Sequence, residues 1–418
     1  MTRIALSQTY ALWTGFCGAL ALLAMALAPS PATAQSFDLS GFVKSEYLYD
    51  SRQVVAAREG EFHLYPAPES EATDVSNLGS FQFFSRFGLT IGDLPDALGA
   101  EVSGYFESDF FGASDANVST FRLRRAFAKM TWNDREVLFG QEWSPLFTLA
   151  SFPRTVATTT GAPFQPFARQ PQVRFTYKPG RLHFIGATAW QRDAFADRPF
   201  KDAVSFDEER EISGIKQQQQ SGLPALHAHA QYHGENVMLG AGAYFKALRP
   251  IVTEDRFTTG AGQAYATVTS DAITIRAKAT YGASLSDHLM TGGYVYNEVE
   301  NDFYPLDLLS TWIDIDGTGT LAPGLFAGYL TNEGSRDEVG TISDPDNDVA
   351  ARGADIDYVW RVAPRLSLNY EALRFAFELE MTSARYASSF DDNYAPNPAD
   401  GDDPVTNMRG NFSVFLSF

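Results

Sequence analysis

Charge recurs at two-residue steps in this chain, in Glu107-Ser108-Asp109 and in Arg122-Leu123-Arg124. Two residues is the period that puts side chains on one face of a β-strand. Arg86, Arg174, Arg276, Lys278 and Arg361 fall on polar faces of similar segments, and Arg154 and Arg169 stand in the connection between two of them. A guanidinium presents forked donors that match carboxylate and phosphate, so clustered inward arginines favour small anions. Glu101, Glu107, Asp109 and Glu142 are expected to face these arginines and set a field across the space between. The plain alternative is that the two sets pair on neighbouring strands and neutralise each other.

Other chemistry is thinner. His227, His229 and His233 share one face of a strand, and His183 lies on the polar face of the preceding one. Imidazole binds transition metals, but steps of two residues separate ligands too far to hold one ion without a partner strand. Histidines that meet water are expected there, with no metal and no cofactor. The run Asp344-Pro345-Asp346-Asn347-Asp348 lacks the spacing of a calcium loop and reads as a solvated acidic connection. No G-x-S-x-G, H-E-x-x-H or Walker-type loop occurs, so no enzyme is expected.

The elements that hold these residues read as strands throughout. Alternation is clearest in Leu39–Tyr49, Phe81–Ile91, Ala100–Phe110, Leu226–Tyr232, Val237–Ala247, Ile273–Tyr281 and Met408–Phe418. Weaker segments cover 119–131, 136–143, 172–178, 182–192, 260–269, 306–315, 323–331, 354–362 and 366–385, for a count of roughly sixteen. Each is near the ten or so residues of a tilted membrane strand. Tight turns are read at Gly92–Asp96, Asn133-Asp134, Lys178–Arg181, Gly234–Asn236, Ser270-Asp271, Asp316–Gly319 and Ala363-Pro364. Long connections alternate with them: 51–78, 144–171, 193–223, 248–258, 283–304, 333–352 and 387–406, with a shorter one near Gly112. Short turns on one edge and long acidic loops on the other describe an all-β, transmembrane antiparallel β-barrel of an outer membrane.

Face assignments follow. Leu39, Val43, Tyr47 and Tyr49 oppose Ser40, Lys44 and Glu46; Phe81, Phe83, Phe87, Leu89 and Ile91 oppose Gln82, Arg86 and Thr90. Val102, Phe106 and Phe110 oppose Glu101, Tyr105, Glu107 and Asp109. The apolar faces meet lipid, because a charge there costs about 2–4 kcal/mol at mid-depth. Tyr49, Trp132, Tyr177, Trp190, Tyr232, Phe245 and Trp360 suit the interfacial girdles. Parity breaks predict a bulge near Arg125, turning Ala126, Ala128, Met130 and Trp132 to lipid, and another near Ala372.

Arg3, the apolar stretch Ala19–Ala28 and Ala32-Thr33-Ala34 form a signal peptide, residues 1–34, with the barrel spanning 35–418. The only cysteine, Cys17, lies in that leader, which excludes disulfide and thiol chemistry in the mature chain. Net charge is −19, which argues against nucleic acid as a partner. The terminal strand ends on Phe418 and is expected to close the barrel against the strand beginning near Leu39. Residues Ser144–Gln170 are unusually apolar for an exposed connection, with Leu146-Phe147, Pro163-Phe164 and Pro166-Phe167. Folding inward against the barrel wall would bury them and narrow the lumen; an outward loop packed on itself or on a neighbouring subunit is the alternative.

Strand count, short turns, an inward third long loop and a terminal phenylalanine resemble the trimeric bacterial porins. More narrowly, Phe121-Arg122-Leu123-Arg124-Arg125-Ala126-Phe127 and Leu138-Phe139-Gly140-Gln141-Glu142-Trp143-Ser144 look like a hairpin of DcaP-like porins. That resemblance implies a homotrimeric, passive diffusion channel in outer-membrane lipid, taking small anionic solutes such as dicarboxylates. Its expected constriction comprises Arg86, Glu101, Glu107, Asp109, Arg122, Arg124, Glu142, Arg154, Arg169 and Arg174. The alternatives are a surface barrel whose acidic loops serve adhesion and, from a third class, an outer-membrane hydrolase.

Overall fold

The computed structural model describes residues 35–112, 115–192, 200–204, 211–212, 214–342 and 348–418. The expected leader with its cleavage after Ala34, most of the stretch 193–213, and Asp344–Asn347 of the acidic run lie outside the described residues.

Sixteen antiparallel strands close into a barrel. In chain order they are β1 (Ser36–Asp50), β2 (Arg86–Gly92, extended by Asn77–Phe81), β3 (Glu101–Asp109) and β4 (Arg122–Trp132). There follow β5 (Arg135–Trp143), β6 (Arg169–Tyr177), β7 (Leu182–Ala189) and β8 (Ala225–His233). The third quarter is β9 (Val237–Leu248), β10 (Phe257–Thr269), β11 (Ile273–Ala283) and β12 (Asp302–Gly317). The last is β13 (Leu321–Ser335), β14 (Ile356–Tyr370), β15 (Leu373–Tyr386) and β16 (Val405–Ser417). Closure is as expected: β16 pairs with β1, Tyr47 opposite Phe412, and the Phe418 N–H donates to the Gly41 carbonyl at 3.1 Å. A Cβ on Gly41 would lie 2.1 Å from the Arg86 carbonyl oxygen, so the seam admits glycine alone at that point.

The outward faces carry the predicted apolar residues. Leu39 is 63% exposed and Phe106 49%, while Lys44 and Glu107 across the strand are buried. The bulge near Arg125 is present: Glu107 faces Arg125 and Ser108 faces Leu123, leaving Arg124 as the extra residue. All three arginines thereby point inward and Ala126, Ala128 and Met130 outward.

Three local expectations are corrected. No bulge lies near Ala372: the register holds from Val362↔Met381 to Tyr370↔Leu373, and the turn is Glu371-Ala372, with Glu371 at φ 40°. A two-residue hairpin by itself moves the lipid face from even to odd numbers. Pro364 is no turn; it stands within β14 at a gap in the pairing with β15, between Val362↔Met381 and Arg365↔Glu378, where its missing N–H breaks no ladder bond, and its ring faces outward. In the second strand, a turn in which the Ser85 N–H donates to the Gln82 carbonyl interrupts the ladder. Phe81 is therefore buried opposite Glu46 and Phe83 packs against the interior cluster, while Leu78 faces lipid.

The lumen is not an empty tube. Phe62, Leu64 and Tyr65 from the first loop, Leu146, Phe147, Phe164 and Phe167 from the third, and Leu285, Leu289 and Met290 from the loop after β11 form one buried cluster. It packs on wall residues such as Trp312, Phe326 and Leu330. The apolar third loop folds inward rather than packing outward, and this is where its side chains leave water.

Candidate functional site

The third loop crosses the lumen and is held at its far side by the wall. Ser310 Oγ donates to the Phe164 carbonyl at 2.9 Å, Trp312 Nε1 to Gln165 Oε1 at 2.9 Å, and Arg361 Nη1 to the Ala162 carbonyl at 2.9 Å. Phe164 lies flat on Gly328, where a Cβ would meet its ring at 2.6 Å. At the tip, the Val156 and Ala157 N–H groups donate to the buried Glu378 carboxylate at 3.0 and 2.9 Å. Lys44 Nζ donates to the Val156 carbonyl and the Thr158 hydroxyl, both at 3.0 Å, while pairing with Glu46 at 2.8 Å. Lys278, expected as an inward cation of the pore, instead donates to the Leu146 carbonyl at 3.0 Å.

The first loop is strapped in the same way. Arg409 donates to the Gly60 carbonyl at 2.8 Å, Arg361 to that of Leu64 at 2.7 Å, and His63 Nδ1 meets Glu380 Oε1 at 2.5 Å. Burial, the larger cause, outweighs the Glu380 carboxylate and lowers His63 from 6.5 to about 4.

Beneath the third loop, on the side of the short turns, lies a cavity of about 280 Å³. One wall is the arginine ladder. Arg122 forks onto Asp109 at 2.8 and 3.2 Å; Arg124 bridges Glu107 at 2.6 Å and Asp109 at 2.7 Å; Arg125 forks onto Glu142 at 2.7 and 2.6 Å. Arg86 reaches Glu107 at 3.7 Å and stacks on Phe84 at 4.6 Å. The acids therefore do not face the arginines across the lumen, as expected, but neighbour them on the same wall. Carboxylates that do stand halfway round the barrel, Asp314 and Asp316, are engaged by Arg276 and Arg365.

Six cations line the cavity: Lys44, Arg86, Arg124, Arg125, Arg154 and Arg374, against one carboxylate, Glu107. Arg154, on the roof, is exposed and lies 4.1 Å over Phe152; Arg374 lies 3.9 Å over Phe415. Among the described residues no carboxylate is in ion-pair contact with either.

Of the ten expected constriction residues, Arg86, Glu107, Asp109, Arg122, Arg124 and Glu142 come together, with Arg154 above them. Arg169 and Arg174 flank the cluster at the base of the loop: Arg169 lies over the same Trp143 ring as Arg124, at 5.1 and 5.7 Å, and Arg174 donates to the Trp143 carbonyl and to Gln172 Oε1. Glu101 is exposed at the short-turn rim, outside the cluster. Lys44, Arg125 and Arg374 were missed as cavity residues. Lys44 sat on a recognised inward face, Arg125 was hidden by the bulge, and Arg374 by the misplaced turn.

No family model and no curated relative matches the chain. Solved structures do. The outer-membrane channel DcaP of Acinetobacter baumannii is 18% identical, covers 94% of this chain and 100% of its own, with a TM-score of 0.69. An anion-selective porin from Comamonas acidovorans is 10% identical over 92% of this chain and all of its own, at 0.54. OmpT, an outer membrane protein of Vibrio cholerae, is 10% identical over 94% and 100%, also at 0.54. This chain has the sixteen-stranded outer-membrane porin fold, similar to that of DcaP.

Proposed function

We propose that the protein is a passive diffusion channel for small anions, exported by a leader removed after Ala34 and assembled as a homotrimer in outer-membrane lipid. The observation that carries this reading is the cavity's lining of six cations with one carboxylate. Arg122, Arg124 and Arg125 offset Glu107, Asp109 and Glu142 and give the wall its shape. Arg154 and Arg374 add charge with no ion-paired carboxylate among the described residues, Asp314 accepting only the Arg154 backbone N–H at 3.1 Å, and both guanidiniums lie over aromatic faces. Nearby solved barrels described as channels and porins support passage, and one of them is described as anion-selective.

The test is the reversal potential of purified protein in planar bilayers under a salt gradient. A unit charge about 8 Å from a passing ion, at an effective dielectric of about 60, contributes about 0.7 kcal/mol, so losing two weakens anion entry about tenfold. The parent should prefer anions, and the Arg154→Ala, Arg374→Ala double variant should lose that preference by about this factor. A parent that prefers cations, or a double variant with the parent's ratio, removes these residues as the filter. Absence of current from the folded parent removes the channel and leaves surface binding through the acidic loops.

A further inference from the structure

Away from the arginine ladder, β7 and β8 bring two imidazoles together at the mouth on the short-turn side. His183 is the second residue of β7 and His233 the last of β8. The register sets His183 opposite Gln231, so His233 is its diagonal neighbour on the inward face. Diagonal neighbours on one face are within reach of ring side chains. The rings lie with centroids 4.0 Å apart and planes at 31°. Both side chains are half-buried, so water reaches them.

A second observation concerns which nitrogen is free. His233 Nε2 lies 2.9 Å from Gln231 Oε1. The amide end of Gln231 is committed elsewhere, its Nε2 donating to the Tyr265 hydroxyl at 2.7 Å. The oxygen end therefore faces the imidazole, His233 donates from Nε2, and its lone pair stands on Nδ1. That outer partner fixes tautomer and ring orientation, as in metal-binding histidines. Among the described residues no hydrogen bond engages the ring of His183.

We propose that His183 and His233 form a two-imidazole site for a divalent transition-metal ion of the zinc, nickel or copper class. Imidazole nitrogen suits these ions and not calcium or magnesium, which take oxygen. Among the described residues no three His, Cys, Asp or Glu side chains converge, so water completes the coordination. Glu136 on β5 is engaged by Lys178 at 2.7 Å and is no third ligand. Bonds of about 2.0–2.1 Å to one ion require the rings to spread by about 1 Å, which side-chain rotation supplies. Tyr265 and Gln231 act as positioning residues.

Binding does not rest on the channel reading; only its effect on current does. The full chain, stripped with chelator, is titrated with nickel chloride alone by calorimetry. A single site is expected, weakened about tenfold or more by His183→Ala or His233→Ala and several-fold by Gln231→Leu, as loss of an orienting partner does. His227→Ala, further along β8, should bind as the parent does. His183→Gln, which keeps a polar side chain of similar size, should lose binding while retaining the parent's β-sheet circular dichroism. Nickel binding that survives both histidine variants, or no binding by the folded parent, overturns the site. In bilayers, nickel added on the short-turn side should reduce the parent current and spare His233→Ala. A barrel that binds nickel through these residues but carries no current keeps the site and removes the channel.

Discussion

Glu378 holds the tip of the third loop together with Lys44, and its replacement by leucine should loosen that tip. The carboxylate is fully buried on β15 and accepts the Val156 and Ala157 N–H groups at 3.0 and 2.9 Å. Leaving a buried donor without its acceptor costs about 1–3 kcal/mol, so removing both bonds costs about 2–6 kcal/mol at the tip. The shoulders of the loop remain fastened by Ser310, Trp312 and Arg361, so the barrel itself should fold. A cost in the lower half of that range, about 3 kcal/mol, raises the displaced fraction of the tip by roughly a hundredfold. Single-channel recording should then show larger, flickering current, and protease should cut between 154 and 160 where the parent resists. Glu378→Gln keeps one acceptor oxygen and the shape, so it should lose about half as much. If Glu378→Leu matches the parent in current noise and protease resistance, the tip is held by something other than this carboxylate.

Two further outcomes follow from buried charge. His63 has a folded pKa of about 4 against an ordinary 6.5, so the unfolded loop takes up the proton first as pH falls. Its contribution is complete above about 6.5 and lost on acidification toward 4, about 3 kcal/mol in all; protease sensitivity of 51–76 should rise over that window, and less steeply in His63→Gln. Arg124→Ala strips a fully buried partner from Glu107 and Asp109 and should destabilise the barrel by about 3–5 kcal/mol in denaturant unfolding, with Arg124→Lys recovering only part because a single ammonium cannot bridge both acids.

Much of the barrel was legible because its signal is local. Alternation names the lipid face of β1 and β3, and the terminal strand closes against β1 as its pattern implied. Where reading failed, two local explanations fitted the same residues. A change of parity between Tyr370 and Phe375 is written identically by a bulge and by a two-residue hairpin, and Pro364 drew the turn to the wrong place. Phe81 looked outward because nothing in the letters marks the turn at Gln82–Ser85. Arg276, Lys278 and Arg361 look like pore cations, yet Arg276 pairs with acids of the adjacent strand, and Lys278 and Arg361 engage carbonyls that only the folded loops supply.

The sequence by itself determined a closed sheet with one apolar face and the edge that carries the long loops, and it left residues 144–170 too apolar to stand in water. Those follow from side-chain period and from the cost of leaving apolar groups in water. Only the tertiary structure decided which charges remain effective. Arg122, Arg124 and Arg125 meet their acids on adjacent strands, while Arg154 of the third loop and Arg374 of β15 reach one cavity from distant parts of the chain. Pairing is a matter of distance across the barrel, and strand register and loop path set that distance. Residue type does not.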